Sequence, residues 1–189
     1  MNKSKSPMST TTPDTTNTKA SPTGWRRWLR HLWLDVADSR RLLSPQACQR
    51  LEAAVRASEA QHLGELRLCV EASLPWAALR QGVGARQRAV ELFGQLHVWD
   101  TAHNNGVLIY LLLADRRIEV LADRGLHALA PASAWSELAQ ELSQAMAQGQ
   151  VEAGMQQALT RVSALLREHH PAPQGCTRPN ELPDAVVLM

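Results

Sequence analysis

The sequence lacks several things, and each absence removes a class of function. No run approaches the ~20 apolar residues that a bilayer-spanning helix needs. The first 24 residues contain no apolar h-region, so no secretory signal is expected. Phenylalanine and tyrosine occur once each, as Phe93 and Tyr110, which leaves few stacking platforms for single-stranded nucleic acid. The formal net charge of +2 is too small to argue for nucleic acid either. The three cysteines, Cys48, Cys69 and Cys176, are odd in number and widely spaced, with no C-x-x-C, so neither a disulfide framework nor a structural zinc site is expected. There is no G-x-S-x-G elbow and no P-loop. Gly82-Val83-Gly84 begins like a dinucleotide fingerprint but lacks the third glycine and a suitable preceding strand. The expected setting is the cytoplasm, with nucleic acid excluded as a partner.

What is present is enough for one ordinary domain: 189 residues, of which 44% are apolar. Residues 1–24 are rich in Ser, Thr, Pro, Asn and Lys and read as a disordered arm. Residues 171–189 carry Pro171, Pro173, Pro179 and Pro183 and read as an extended Pro-rich tail. Its last stretch, Leu182 to Leu188, is apolar enough to dock.

Between these ends the periodicity alternates. Over residues 25–36, Trp25, Trp28, Leu29, Leu32, Trp33 and Val36 recur at helical spacing, with Arg26, Arg27 and Arg30 mostly off that stripe. Two readings stand for this basic amphipathic helix. Trp25, Arg26, Arg27, Trp28, Arg30 and Trp33 form a membrane or partner surface on the inner membrane face, or the apolar stripe packs on the domain itself. A second helix is expected from Ser44, as N-cap, to Leu63, with Gly64 ending it. Leu66, Leu68 and Val70 alternate with Arg67, Cys69 and Glu71 in a first strand. A helix to about Val98 follows, then a doubly buried strand from Val107 to Leu113 and a third strand from Ile118 to Asp123. Two helices close the domain, the first capped by Ser133, with Gly149 between them. The first two strands bracket a helix and should run parallel; the third should be antiparallel to the second. The fold class is α/β: a three-layer α/β/α sandwich with a small mixed sheet flanked by helices, over residues 40–170.

This topology sorts the polar residues. One sheet edge gathers Glu65, the loop Asp100 to Gly106, Asp123, Arg124, Gly125 and His127, while Glu71 and Asp115 fall at the other. Asp100, His103, Asn104, Asp123, His127 and Glu65 are candidate ligands for a divalent cation. Oxygen donors suit calcium or magnesium, and the histidines would suit zinc. The competing reading makes Asn105-Gly106 a simple turn, with Asp100 and Asn104 bonded to nearby backbone and the histidines solvated. His169-His170 ends a helix, where positive charge suits the dipole.

Three strings carry a resemblance: Arg86 to Phe93, Trp99 to Tyr110, and Ile118 to Gly125. Together they resemble the TPM domain, a family named for a thylakoid-lumen phosphatase, a photosystem II repair protein and a nematode receptor auxiliary subunit. The resemblance covers about residues 40–170. It implies an α/β/α sandwich, an acid-phosphatase activity and a divalent-cation site in the loop before the second strand. Carried over by position are Asn104, Asn105, Gly106, Asp123 and Gly125. The family's Asp-Asn-Gly is Asn104-Asn105-Gly106 here, and Leu126 to Ala130 stands where acidic residues often follow. Many members also have a secretory signal and a membrane helix that this sequence lacks. It is more similar to the soluble bacterial branch found beside LemA-type membrane proteins, which implies such a protein as partner.

Three functions are compatible with these residues. The first is a non-enzymatic or weakly active accessory module acting with a membrane protein. The second is a metal-dependent phosphomonoesterase. The third is a cation-binding regulatory domain without turnover.

Overall fold

The structure, a computed structural model, describes residues 24–129, 131–173 and 180–189. The expected disordered arm lies outside the described residues but for Gly24. The elements are α1 (Trp25–Trp33), α2 (Val36–Leu42), α3 (Pro45–Glu59), β1 (Leu66–Glu71), α4 (Trp76–Arg80), α5 (Ala85–Gln95), β2 (Val107–Leu112), β3 (Arg117–Ala122), α6 (Arg124–His127), α7 (Ala132–Ala147), α8 (Val151–His169) and β4 (Val187–Leu188).

The sheet order is β3-β2-β1-β4. β1 runs parallel to β2, with Leu66 opposite Val107, and β3 is antiparallel to β2. Because side chains alternate across a strand, the sheet has two apolar faces. Leu66, Leu68, Val70, Val107, Ile109 and Leu111 pack beneath α3, α7 and α8. Cys69, Leu108, Tyr110 and Leu112 pack against Ala85, Ala89 and Leu92 of α5. This is the expected α/β/α sandwich with a small mixed sheet.

Several local expectations are corrected. Asp35 breaks the first helix in two: its carboxylate accepts from Ala37 N and Asp38 N, and Asp38 answers Asp35 N in a capping box. The third helix ends at Glu59, not at Gly64. Gly64 instead lies under the Leu166 side chain, where any Cβ would collide with it. Ser133 sits inside α7, whose N-cap is Pro131.

The tail supplies a fourth strand that its prolines obscure. β4 joins the free edge of β1 in parallel, pairing Cys69 with Val187. Ala72 N donates to the Met189 carbonyl at 2.8 Å, and Met189 N to the Val70 carbonyl at 2.9 Å. Arg67 donates to the Pro183 and Ala185 carbonyls, and Arg56 pairs with Asp184 at 2.9 Å. An open sheet edge is thereby closed. No helix among the described residues is long and apolar enough to cross a membrane.

Candidate functional site

The loop before β2 and the turn after β3 meet at one rim of the sheet. Asp123 N donates to the Gly106 carbonyl at 2.8 Å, and Gly125 N to the Asn104 carbonyl at 2.9 Å. The approach requires glycine at both places. A Cβ on Gly106 would run into the Val98 carbonyl, and one on Gly125 would lie 2.5 Å from the Asn104 carbonyl oxygen and 2.8 Å from that of His103. Asn104 holds φ 51°, a left-handed conformation that asparagine tolerates better than most residues.

The side chains divide into two groups. Asn105 is wholly buried, and neither its amide oxygen nor its amide nitrogen meets a protein partner. Its backbone N–H donates to Thr101 Oγ1 at 3.2 Å. Asp123 caps α6 with one oxygen, Oδ1, which accepts from Arg124 N at 2.6 Å; Oδ2 is buried without a hydrogen bond. Asn104 Oδ1 accepts from the Arg124 guanidinium at 3.1 Å. These three residues form the core of the rim.

The remaining candidates stand apart from that core. Asp100, His103 and His127 have exposed side chains. Glu65 enters the rim through its backbone, whose carbonyl accepts from Val107 N at 2.8 Å. Its carboxylate is buried and accepts from Leu182 N of the tail at 3.3 Å. Glu181 of the same tail accepts from Ala102 N at 2.9 Å. Among the described residues no three His, Cys, Asp or Glu side chains converge to hold a metal ion. Any cation here would therefore rely on amide and carbonyl oxygens beside a single carboxylate.

His170, which the sequence places at a helix end where positive charge suits the dipole, belongs to this neighbourhood. Burial lowers its pKa, as do the charges of His103 and His169, against a hydrogen bond with the Gly125 backbone. Its Nε2 is buried without a hydrogen bond. No sequence signal links His170 to Gly125, because the contact depends on where α8 ends relative to the sheet.

The opposite rim, at the carboxyl ends of β1 and β2, is occupied by the protein itself. Asp115 takes two hydrogen bonds from Arg27 Nε, at 3.1 and 3.2 Å, and one from Nη2 at 2.9 Å. His31 Nε2 lies 3.2 Å from Asp115, and His31 Nδ1 accepts from Leu74 N at 3.0 Å. Burial would raise the Asp115 pKa, but hydrogen bonds from His31 and Arg27, with the Arg27 charge, hold it at about 2. Nearby, Glu71 is buried under Arg88, which bonds it through Nε and Nη2, and under the Tyr110 hydroxyl, which donates at 2.6 Å. The crevice where open parallel sheets usually bind ligands is thus closed by α1.

Of the two readings of the N-terminal helix, the one that packs its apolar stripe on the domain needs correction here. The helix does pack on the domain, but through Arg27 and His31, not through the tryptophans. Trp25, Leu29, Leu32 and Trp33 face solvent. Trp28 alone of the stripe has an aromatic partner, meeting Trp76 edge-on at 5.0 Å.

The comparisons agree with this architecture. The solution structure of BA42 protein from the psychrophilic bacterium Bizionia argentinensis superimposes with a TM-score of 0.67 at 21% identity, over 77% of this chain and 94% of that one. At that identity the likeness shows the fold alone. No curated protein matches the sequence. The family description "TPM domain" matches residues 36–165, which span both strands of the rim and the Asn104-Asn105-Gly106 turn, so the chain belongs to the TPM domain family.

Proposed function

We propose that this TPM-domain protein is a non-enzymatic accessory module of the cytoplasm that acts with a membrane-protein partner of the LemA type and holds a divalent cation at its rim. The observation that carries the reading is the Asn105 amide, fully buried with both polar atoms unpartnered. Such a group costs about 1–3 kcal/mol when left unsatisfied, so a ligand at this place recovers stability. Asp123 Oδ2, equally buried, ends the adjacent strand and brings a negative charge. Amide, carboxylate and carbonyl oxygens suit calcium or magnesium better than zinc. The bound cation would supply a fixed positive charge, and Asn105 and Asp123 would hold it.

The composition of the rim supports binding without turnover. Asn104 occupies the place where the family pattern has a carboxylate, and its side chain is engaged by Arg124. Thr101 Oγ1 accepts from Asn105 N within the same loop. Among the described residues, no hydrogen bond joins Asp123 to a second carboxylate, a hydroxyl or a thiol.

The test is a melting curve of the whole chain with calcium, magnesium or zinc, beside a chelator control. Calcium or magnesium at millimolar concentration should raise Tm by roughly a few degrees, since binding to the native state stabilises it. Asp123→Asn should remove most of that rise. A buried water serving Asn105 alone predicts no rise with any metal, which would overturn the cation. Chelator-sensitive hydrolysis of an aryl phosphate, lost in Asp123→Asn, would overturn the absence of turnover.

A further inference from the structure

Helix α1 is docked by its polar side. Arg27 and His31, one turn apart, are buried and both engage Asp115. Arg27 Nη2 also donates to the Val83 carbonyl at 2.7 Å. These contacts fix the rotation of the helix about its axis. Turning the tryptophans inward would leave Asp115 buried without the Arg27 guanidinium and the His31 hydrogen bond, which is costly. The apolar side is therefore held outward. Trp25 is 69% exposed, Leu32 62% and Trp33 83%, with Leu29 exposed on the same side. Trp28 continues the apolar surface onto Trp76 of α4, itself exposed. Exposed apolar side chains grouped in this way mark an interaction surface.

The charges around the patch choose the occupant. Every charged residue of α1 is basic: Arg26, Arg27 and Arg30. Arg26 lies over the Trp25 ring at 5.7 Å. Arg40 and Arg41 follow at the end of α2, where both side chains are exposed. Where α1 ends, Leu34 opens a cleft of about 780 Å³ that Leu42, Leu113 and Met146 line with apolar carbon, and Arg41 and Arg116 with positive charge, offset in part by Asp38, which pairs with Arg41 at 3.1 Å. A second copy of the chain on this face would bring arginine toward arginine. A bilayer with anionic headgroups offers what the face lacks: negative charge at its surface and an apolar layer just beneath, at the depth tryptophan prefers.

We propose that the outer face of α1 docks on the surface of an anionic lipid bilayer, with Trp25, Leu29, Leu32 and Trp33 at the headgroup boundary and Arg26, Arg30, Arg40 and Arg41 meeting lipid phosphate. This deepens the accessory function proposed above by naming the surface that brings the domain to a membrane. It does not need the rim cation, so failure of the cation assay leaves it standing.

The experiment is co-sedimentation of the full chain with vesicles of phosphatidylcholine alone or mixed with phosphatidylglycerol. Binding to the mixed vesicles should exceed binding to neutral ones by at least about tenfold, should fall as salt rises, and should blue-shift the tryptophan emission. The double variant Trp25→Glu, Trp33→Glu should lose that binding while its melting temperature stays put, because both side chains are exposed. Equal binding to both vesicle types, no binding to the anionic ones, or unchanged binding by the double variant would overturn the proposal. So would a dimer in light scattering that Trp33→Glu dissolves, which would assign the face to a second copy.

Discussion

The Gly125 N–H donates to the Asn104 carbonyl oxygen at 2.9 Å, and a Cβ on Gly125 would stand only 2.5 Å from that same oxygen. The hydrogen bond that closes the rim thus leaves no space for a side chain. It also couples the loop entering β2 to the turn leaving β3, two segments about one strand hairpin apart in the chain.

Gly125→Ala should therefore push the two segments apart. The expected loss is about 1–3 kcal/mol, the usual cost of forcing a methyl into a filled space. Chemical denaturation measures it. Any melting response to calcium should shrink with it, because the Asn104–Asn105 loop moves away from Asp123. Gly94→Ala, in an exposed helix position with open space for a Cβ, is the control that should not destabilise.

The docking of α1 should fail in acid. The folded state holds the Asp115 pKa at about 2, below its ordinary 3.8. A depressed carboxylate contributes stability above its unfolded pKa and loses it as pH falls through the folded value. The contribution, about 2 kcal/mol by linkage, should be intact near neutrality and fade between about pH 4 and pH 2. Asp115→Asn should flatten that part of the stability–pH curve and release Trp28 from Trp76, which tryptophan fluorescence reports.

Buried Glu71 provides a graded series. Tyr110→Phe removes one hydrogen bond to a charged group and should cost about 1.5–3 kcal/mol. Arg88→Ala removes the bidentate cation and leaves the carboxylate stranded, which should cost about 3–5 kcal/mol. Urea midpoints in that order, at constant slope, are the expected result. Equal midpoints for the two variants would show that the Arg88 guanidinium and the Tyr110 hydroxyl stabilise the fold alike, against the expected order.

Removing residues 184–189 should expose the edge of β1. Cys69 is the reporter: burial, with the nearby Glu71 charge, pushes its thiol up to about 12, and Met189 Sδ lies 3.9 Å from its sulfur. In the intact chain Cys69 should alkylate far more slowly than half-buried Cys48. Truncation should speed Cys69 modification and promote self-association through the bare strand. Unchanged Cys69 kinetics would mean that β4 contributes little cover.

Much of the fold can be read along the chain. The alternation of Leu66, Leu68 and Val70, the continuous apolar run from Val107, and the helical spacing in α8 are local patterns imposed by burial on one or two faces. They suffice to set three strands, their directions and the meeting of Asn104–Gly106 with Asp123–Gly125. β4 escapes such reading because two residues carry no periodicity, and its partners, Cys69 and Val70, lie more than a hundred residues away. The membership of the rim is only partly legible. Asp123 and Asn105 stand where the motif places them, yet Asp100, His103 and His127 have exposed side chains and His170 arrives from a distant helix.

Composition and periodicity alone determined that this chain folds as a layered α/β domain with a basic tryptophan helix before it, because apolar spacing along a chain is a record of which faces must leave water. Tertiary structure alone decided which side of that helix is buried. Asp115 sits at the far end of the sheet, and a buried carboxylate demands cations more strongly than exposed tryptophans demand cover. No spacing rule within nine residues contains that competition, since one of the two contestants lies eighty-four positions from His31.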